Sequence, residues 1–277
     1  MNEPRTLAID IGGTGIKAAL LNESGSIVGD RRRVPTPAKP VAPGDLLRAI
    51  DEAVKPLGTY ERVSVGFPGY VREGRVLTAP NLGTEALAGF DLQSVLAEHL
   101  GKPVRVLNDA DVQGFGAIKG RGLEMVLTLG TGAGTAIFRD GEVMPHLELA
   151  HHPVSGNKTY DEYIGDAARK KKGKKAWNKR VAKIIEILRV VVRFDHLYIG
   201  GGNAQQITFA LPPDVTIVPN TDGLTGGIRL WRKDPTAYAA ADVPSGGATS
   251  AGPESQMSGA AKFGPPEEQG RAEGLPT

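Results

Sequence analysis

Apolar and polar positions change their period along this chain so as to predict alternating strands and helices. TLAIDIGG, from Thr6, is a short apolar run ended by glycines, and IKAALLN and SIVGDRRRV follow it, which predicts three strands in a meander with a glycine turn between the first two. Prolines at positions 35, 37, 40 and 43 interrupt any ladder, and DLLRAIDEAVKPL then carries apolar residues at helical spacing before VSVGFPG returns to strand character. DLQSVLAEHLG predicts an amphipathic helix closed by Gly101, VRVLND a buried strand, and VLTLGTGAGTAIF a strand pair hinged by glycine. From Thr159 the pattern is helical through YDEYIGDAARKKKGKKAWNKRVAKIIEILRVVVRF, until LYIGGGN adds a strand and a glycine turn.

The unit of apolar strand, glycine- and threonine-rich turn and second strand occurs twice, at Leu7 to Leu21 and at Met125 to Phe138. The repeat predicts a mixed α/β protein of two related lobes facing a cleft, residues 1–115 and 116–233. Residues 234–277, dominated by Gly, Pro, Ala, Ser and charge, are expected to form a disordered tail, because they carry too few large apolar side chains to offset the entropy of ordering.

Composition narrows the classes. At 277 residues and 40% apolar content the chain can bury a substantial core, and a net charge of +2 demands neither nucleic acid nor a membrane surface as partner. The absence of cysteine excludes disulfides and cysteine zinc sites. MNEPRTLAID lacks the basic start and apolar middle of a secretory signal, and the expectation is a cytoplasmic protein.

The candidate chemistry begins at Asp10-Ile-Gly-Gly-Thr-Gly-Ile-Lys17. Gly12, Gly13 and Gly15 let backbone approach phosphate oxygens, Thr14 and Lys17 add a hydroxyl and a cation, and Asp10 at the strand end suits Mg²⁺ held through water. An ordinary hairpin turn is the alternative for such a segment. Leu129-Gly-Thr-Gly-Ala-Gly-Thr135 repeats the pattern, with Thr131, Gly132 and Gly134 as its phosphate-facing candidates, and Gly200-Gly201-Gly202 supplies a third approach for a nucleotide or phosphate. Two such turns across one cleft point to a polyphosphate chain gripped from both sides.

Between them lies Leu107-Asn-Asp-Ala-Asp111 at a strand end. Asp109 is the candidate base for a sugar hydroxyl, Asn108 a hydroxyl ligand, and Asp111 a helix cap or support. His146-Leu-Glu-Leu-Ala-His-His152 offers a carboxylate and imidazoles that suit sugar hydroxyls; a metal site and a plain surface loop are the competing readings. The basic run RKKKGKKAWNKR, with Lys170, Lys171, Lys172, Lys174 and Lys175, is either a solvated helix face or a track for a long polyanion, and with Trp177 alone among the cations it offers bases little to stack on.

Taken in order, DIGGTGIK, GFPG, APNL, LNDAD, TLGTGAG, ELAHHP and YIGGGN resemble the ROK family of sugar kinases, and especially its polyphosphate-dependent glucokinase branch, over Leu7 to about Trp231. The resemblance implies an actin-like ATPase fold, a homodimer, and phosphoryl transfer from polyphosphate or ATP to the 6-hydroxyl of glucose with Mg²⁺. It implies that Asp10 organises metal and phosphates, that Asn81, Asn108, Glu148 and His151 contact the hexose, and that Asp109 is the base. One further acidic sugar ligand is implied at Asp161 or Glu162. The family's cysteine zinc motif is absent, so no zinc is expected, and Ala150 stands where the family has glycine. Only Met1 to Thr6 precede the first strand, which argues against a DNA-binding repressor. Kinases for another hexose and a non-catalytic sugar or phosphate sensor remain as alternatives.

Overall fold

Two five-stranded sheets with matching topology organise the protein. The computed structural model describes residues 4–219 and 222–231; the tail expected at 234–277 lies outside the described residues. In the first sheet β1 (Thr6–Ile11), β2 (Ile16–Leu21) and β3 (Ile27–Val34) form an antiparallel meander. Helix α1 (Pro43–Val54) leads to β4 (Arg62–Phe67), parallel to β1. The hairpin β5 (Val71–Arg72) and β6 (Arg75–Val76), the turn α2 (Thr84–Leu87) and helix α3 (Leu92–Leu100) precede β7 (Val104–Asn108), giving the order β3-β2-β1-β4-β7.

Helix α4 (Asp109–Ala117) follows directly, and β8 (Leu123–Leu129), β9 (Ala133–Arg139) and β10 (Glu142–Val143) open the second sheet with another antiparallel meander. The small hairpin β11 (Pro153–Ser155) and β12 (Lys158–Thr159) and helices α5 (Tyr160–Ile164), α6 (Asp166–Lys172) and α7 (Lys174–Val192) lead to β13 (His196–Gly200) and β14 (Val215–Ile217). Both pair parallel in the order β10-β9-β8-β13-β14. A short helix α8 (Asp222–Thr225) and a 3₁₀ turn at Gly226–Trp231 end the described chain.

Alternation along the strands explains the layers. Leu7, Ile9 and Ile11 of β1 and Ile16, Ala18 and Leu20 of β2 enter one core beneath α1 and α3. Ala8, Ala19 and Leu21 face the other way, onto Leu224 and Ile228. In β8, Met125, Leu127 and Leu129 pack under Trp177, Ile184 and Leu188 of α7, and Val126 turns to the opposite side with Phe115 of α4. Helix α3 is capped by Asp91, whose carboxylate accepts the Ser94 N–H, and closes on left-handed Gly101.

The uninterrupted helical pattern after Thr159 is corrected to three helices. The breaks fall at Gly165, where a Cβ would collide with the carbonyls of Asp161 and Thr131, and at Gly173, with φ +76° and ψ 160°, a conformation nearly confined to glycine. All described residues belong to one compact unit.

Candidate active site

The β1–β2 turn is held by the Gly12 N–H donating to the Gly15 carbonyl at 3.0 Å and by the Thr36 hydroxyl donating to the Gly12 carbonyl at 2.5 Å. The strand register sets Asp10 opposite Lys17, on the face away from the Leu7–Ile9–Ile11 core, and Lys17 Nζ meets Asp10 Oδ2 at 2.7 Å. Neighbours outside the turn also require glycine within it. A Cβ on Gly15 would lie 2.8 Å from the Arg33 guanidinium, and one on Gly13 3.2 Å from Asn81 Cβ and 3.7 Å from Lys39 Nζ. Two cations that sequence reasoning passed over thus border the first glycine turn.

β7 delivers Asn108 and Asp109 to the start of α4. Asn108 is the N-cap: its Oδ1 accepts the Ala110 N–H at 2.8 Å and its Nδ2 donates to the Gly69 carbonyl at 3.0 Å, which ties GFPG to the helix start. Asp109, the first helical residue, is half-buried. Burial, then the charge of Asp10, push its carboxyl from the ordinary 3.8 up to about 7. The capping role considered for Asp111 belongs to Asn108 instead. Asp111 is buried and faces His146, whose Nδ1 stands 3.1 and 3.2 Å from its two oxygens.

From there a line of acids and imidazoles runs to the second glycine turn. His146 Nε2 lies 3.4 Å from Glu148 Oε1, Glu148 Oε2 lies 3.3 Å from His151 Nε2, and His151 Nδ1 is 4.0 Å from Asp161 Oδ2. The adjacent His146 holds the Glu148 carboxyl below its ordinary range against the upward push of burial. Asp161 Oδ1 accepts the Ala133 N–H at 2.6 Å, and a Cβ on Gly132 would run into that carboxylate.

The second turn, with the Gly130 N–H donating to the Gly132 carbonyl at 3.0 Å, is braced from outside. The Asp166 N–H and Asn203 Nδ2 both donate to the Gly130 carbonyl. Gly201, at φ +85°, packs its Cα against the Leu129 backbone, where any side chain would clash.

These parts enclose an open cavity of about 310 Å³. Of the expected residues it is lined by Asp10, Gly12, Gly13, Thr14 and Lys17 from the first turn, and by Thr131, Gly132 and Gly134 from the second. Asn81, Asn108, Asp109, Glu148, His151 and Asp161 line it as well, as do Gly201 and Gly202. Gly15, Gly200, Glu162 and the five lysines do not. Glu162 is spent in a capping box, its N–H donating to Thr159 Oγ1 while its Oε2 accepts the Thr159 N–H. The Thr-x-x-Glu spacing was the sequence signal that separates it from Asp161. Gly200 lies against the Gln113 side chain instead. Lys170 pairs with Asp166 at 2.7 Å; Lys171, Lys172, Lys174 and Lys175 are exposed.

Of the lining residues that the sequence did not single out, two carry polar side chains, Gln113 and Thr128. Gln113 follows Asp109 by one helical turn, which was the available signal, and its buried Nε2 has no hydrogen-bond partner. Among the described residues no group of three or more His, Cys, Asp or Glu is arranged to hold a metal ion. The carboxylate oxygens of Asp10, with Asp109 raised partly by Asp10's charge, are nonetheless a donor set that suits Mg²⁺ when phosphates supply further ligands.

The ROK family model matches residues 6–148. The polyphosphate glucokinase of Mycobacterium tuberculosis strain H37Rv is 31% identical over 244 residues, covering 82% of this chain and 91% of that one. The inorganic polyphosphate/ATP-glucomannokinase of Arthrobacter sp. strain KM superposes with a TM-score of 0.73 at 28% identity, covering 82% of this chain and 97% of that one. A ROK family glucokinase from Streptomyces griseus, solved with glucose and AMPPNP, has the same fold at a TM-score of 0.67 and 21% identity, over 82% and 98% of the two chains. With its actin-like ATPase fold, the chain belongs to the ROK family and is a sugar kinase, a phosphotransferase acting on a hydroxyl group.

Proposed function

We propose that the protein transfers a phosphoryl group from inorganic polyphosphate, and also from ATP, to the 6-hydroxyl of glucose. The observation that carries this reading is Asp109. Its carboxyl lines the cavity between the two glycine turns, at a proton affinity of about 7 that lets it take a hydroxyl proton near neutrality.

The hexose lies against Asn81, Asn108, Glu148, His151 and Asp161, whose carboxylates accept its hydroxyl protons and whose amides and imidazole donate in return. Asp109 accepts the proton of the attacking hydroxyl and aligns its oxygen with the terminal phosphorus. Backbone N–H groups of the turns at Gly12–Gly15 and Gly130–Gly134, with the Gly201–Gly202 turn beside them, stabilise the phosphoryl oxygens, and Lys17 adds a cation at the mouth of the first turn. Asp10, through water, and the donor phosphates would hold Mg²⁺, which would supply charge neutralisation on the transferring group. Closure of the cleft excludes water from the transfer.

Polyphosphate as donor is supported by the named activities of the Mycobacterium and Arthrobacter relatives, and by cations outside the cavity that a chain longer than a nucleotide triphosphate would reach. Lys39 and Arg33 border the first turn, and the exposed lysines of α6 and α7 follow Asp166, which braces the second. Mannose is the second acceptor to test, since the Arthrobacter relative is a glucomannokinase.

Initial rates with glucose or mannose, Mg²⁺, and ATP or long-chain polyphosphate in parallel test the reading. Glucose 6-phosphate formed faster with polyphosphate is expected, and no product from any pair overturns the assignment. Replacing Lys171, Lys172, Lys174 and Lys175 by Gln is expected to raise the polyphosphate KM and flatten its salt dependence while the ATP KM stays put. Equal effects on both donors would remove the polyanion track.

A further inference from the structure

Behind the cavity wall, Asp111 and His146 form a buried pair to which the proposed reaction gives no role. Their side chains are 5% and 9% exposed. A buried ion pair adds little stability over apolar residues of the same volume, so its effect is to be sought in what it orders. What it orders is Glu148. Both Asp111 oxygens take His146 Nδ1, at 3.1 and 3.2 Å, and the ring stacks on Tyr70 with centroids 5.7 Å apart and planes at 24°. With rotation blocked on both sides, Nε2 points at Glu148 Oε1, 3.4 Å away, an oxygen that is buried and has no hydrogen-bond partner.

We infer that Asp111 and His146 are positioning residues that hold the Glu148 carboxylate in place as a hydroxyl acceptor in the sugar pocket. The inference rests on the reading of the cavity as a hexose site. His146 is faced by Asp111 and Asp109 from α4, by Tyr70 from the loop after β4, and by Glu148 from its own loop, with His151 beyond Glu148. Burial alone would lower its proton affinity, but its hydrogen bonds to Asp111 and the carboxylates of Asp111 and Glu148 carry it up to about 10. The imidazolium therefore persists through neutral pH and keeps Glu148 an ionised acceptor that cannot donate. Specificity follows, because this oxygen pair rewards a ligand with hydroxyl protons to give.

His146→Gln and Asp111→Asn, assayed by calorimetric glucose binding and steady-state kinetics, test the inference. Glucose affinity is expected to fall about tenfold in each, as for loss of a hydrogen bond to a charged group. kcat falls by less than KM rises, the donor KM is unchanged, and the double variant is little worse than either single one. Glu148 deprived of its cation takes up a proton more readily, so the acid limb of kcat/KM for glucose moves to higher pH. Unchanged glucose affinity in both variants, or a loss of melting temperature that weakens donor and glucose alike without moving the acid limb, overturns the positioning role. Should neither variant fold, the wild-type ring still decides: its NMR signals are expected to stay fixed between pH 6 and 9, and titration near 6.5 refutes the pair. Wild-type protein that binds no hexose, with His146 untitrated, sinks the functional reading instead.

Discussion

At the scale of single residues, the neighbouring acids of this site have opposite fates. Asp109 is pushed up to about 7 by burial and Asp10, whereas the Glu148 carboxyl is drawn down by His146. Asp109→Asn is expected to lower kcat by about 10²- to 10⁴-fold with glucose binding preserved, checked by turnover and calorimetry together. The same substitution has a pH signature in stability. A carboxyl raised from 3.8 to about 7 binds more protons in the folded state, so wild-type stability declines as pH rises through that window. The melting temperature of Asp109→Asn relative to wild type is therefore expected to climb between pH 5 and 8. Asp161→Asn is expected to raise the glucose KM several-fold, whereas Glu162→Gln costs about 1 kcal/mol or less of cap stability and leaves KM alone. The cavity positions of Asp109 and of most of the glycines, Gly15 and Gly200 excepted, were legible in the sequence because strand ends and turns are local. The Asp111–His146 contact was not, since it spans 35 residues and depends on two elements docking.

At the scale of elements, β1 to β4, β7 to β9 and β13 were legible as short apolar runs, whereas β5, β6, β11, β12 and β14, two or three residues each, carry too short a pattern to read. The helical region after Thr159 was read poorly, because glycine inside an amphipathic pattern does not reveal which backbone it must avoid. Gly165 gives way to the carbonyls of Asp161 and Thr131, a constraint set by the second glycine turn. Gly173 has nothing near it and is required by its backbone angles alone. Gly173→Ala is accordingly expected to cost about 1–3 kcal/mol in urea denaturation without changing either KM. It would do so by forcing α6 and α7 toward one continuous helix.

At the scale of the molecule, α4 is the common member. It carries Asp109 at its start, packs its Phe115 with Val126 and Phe138 of the second sheet, and has the closing 3₁₀ turn against its other side. Gly226 shows how tight that last contact is, since a Cβ there would overlap the Val112 carbonyl. Leu230 is fully buried in the same cluster, and Leu230→Ala is expected to cost about 2–5 kcal/mol, read as a lower urea midpoint with an unchanged slope.

The closing turn also reaches the first sheet: Ser64 donates to the Gly227 carbonyl at 2.7 Å, the Trp231 indole donates to Ser64 at 2.9 Å, and Leu224 and Ile228 cover Ala8, Ala19 and Leu21. On the ribosome this has a temporal meaning. The strands made first expose that apolar face until the residues near 231 emerge, which at about 5–20 residues per second is a delay of roughly ten to forty-five seconds. The first sheet, although made first, therefore completes its packing only when the last described turn has been made.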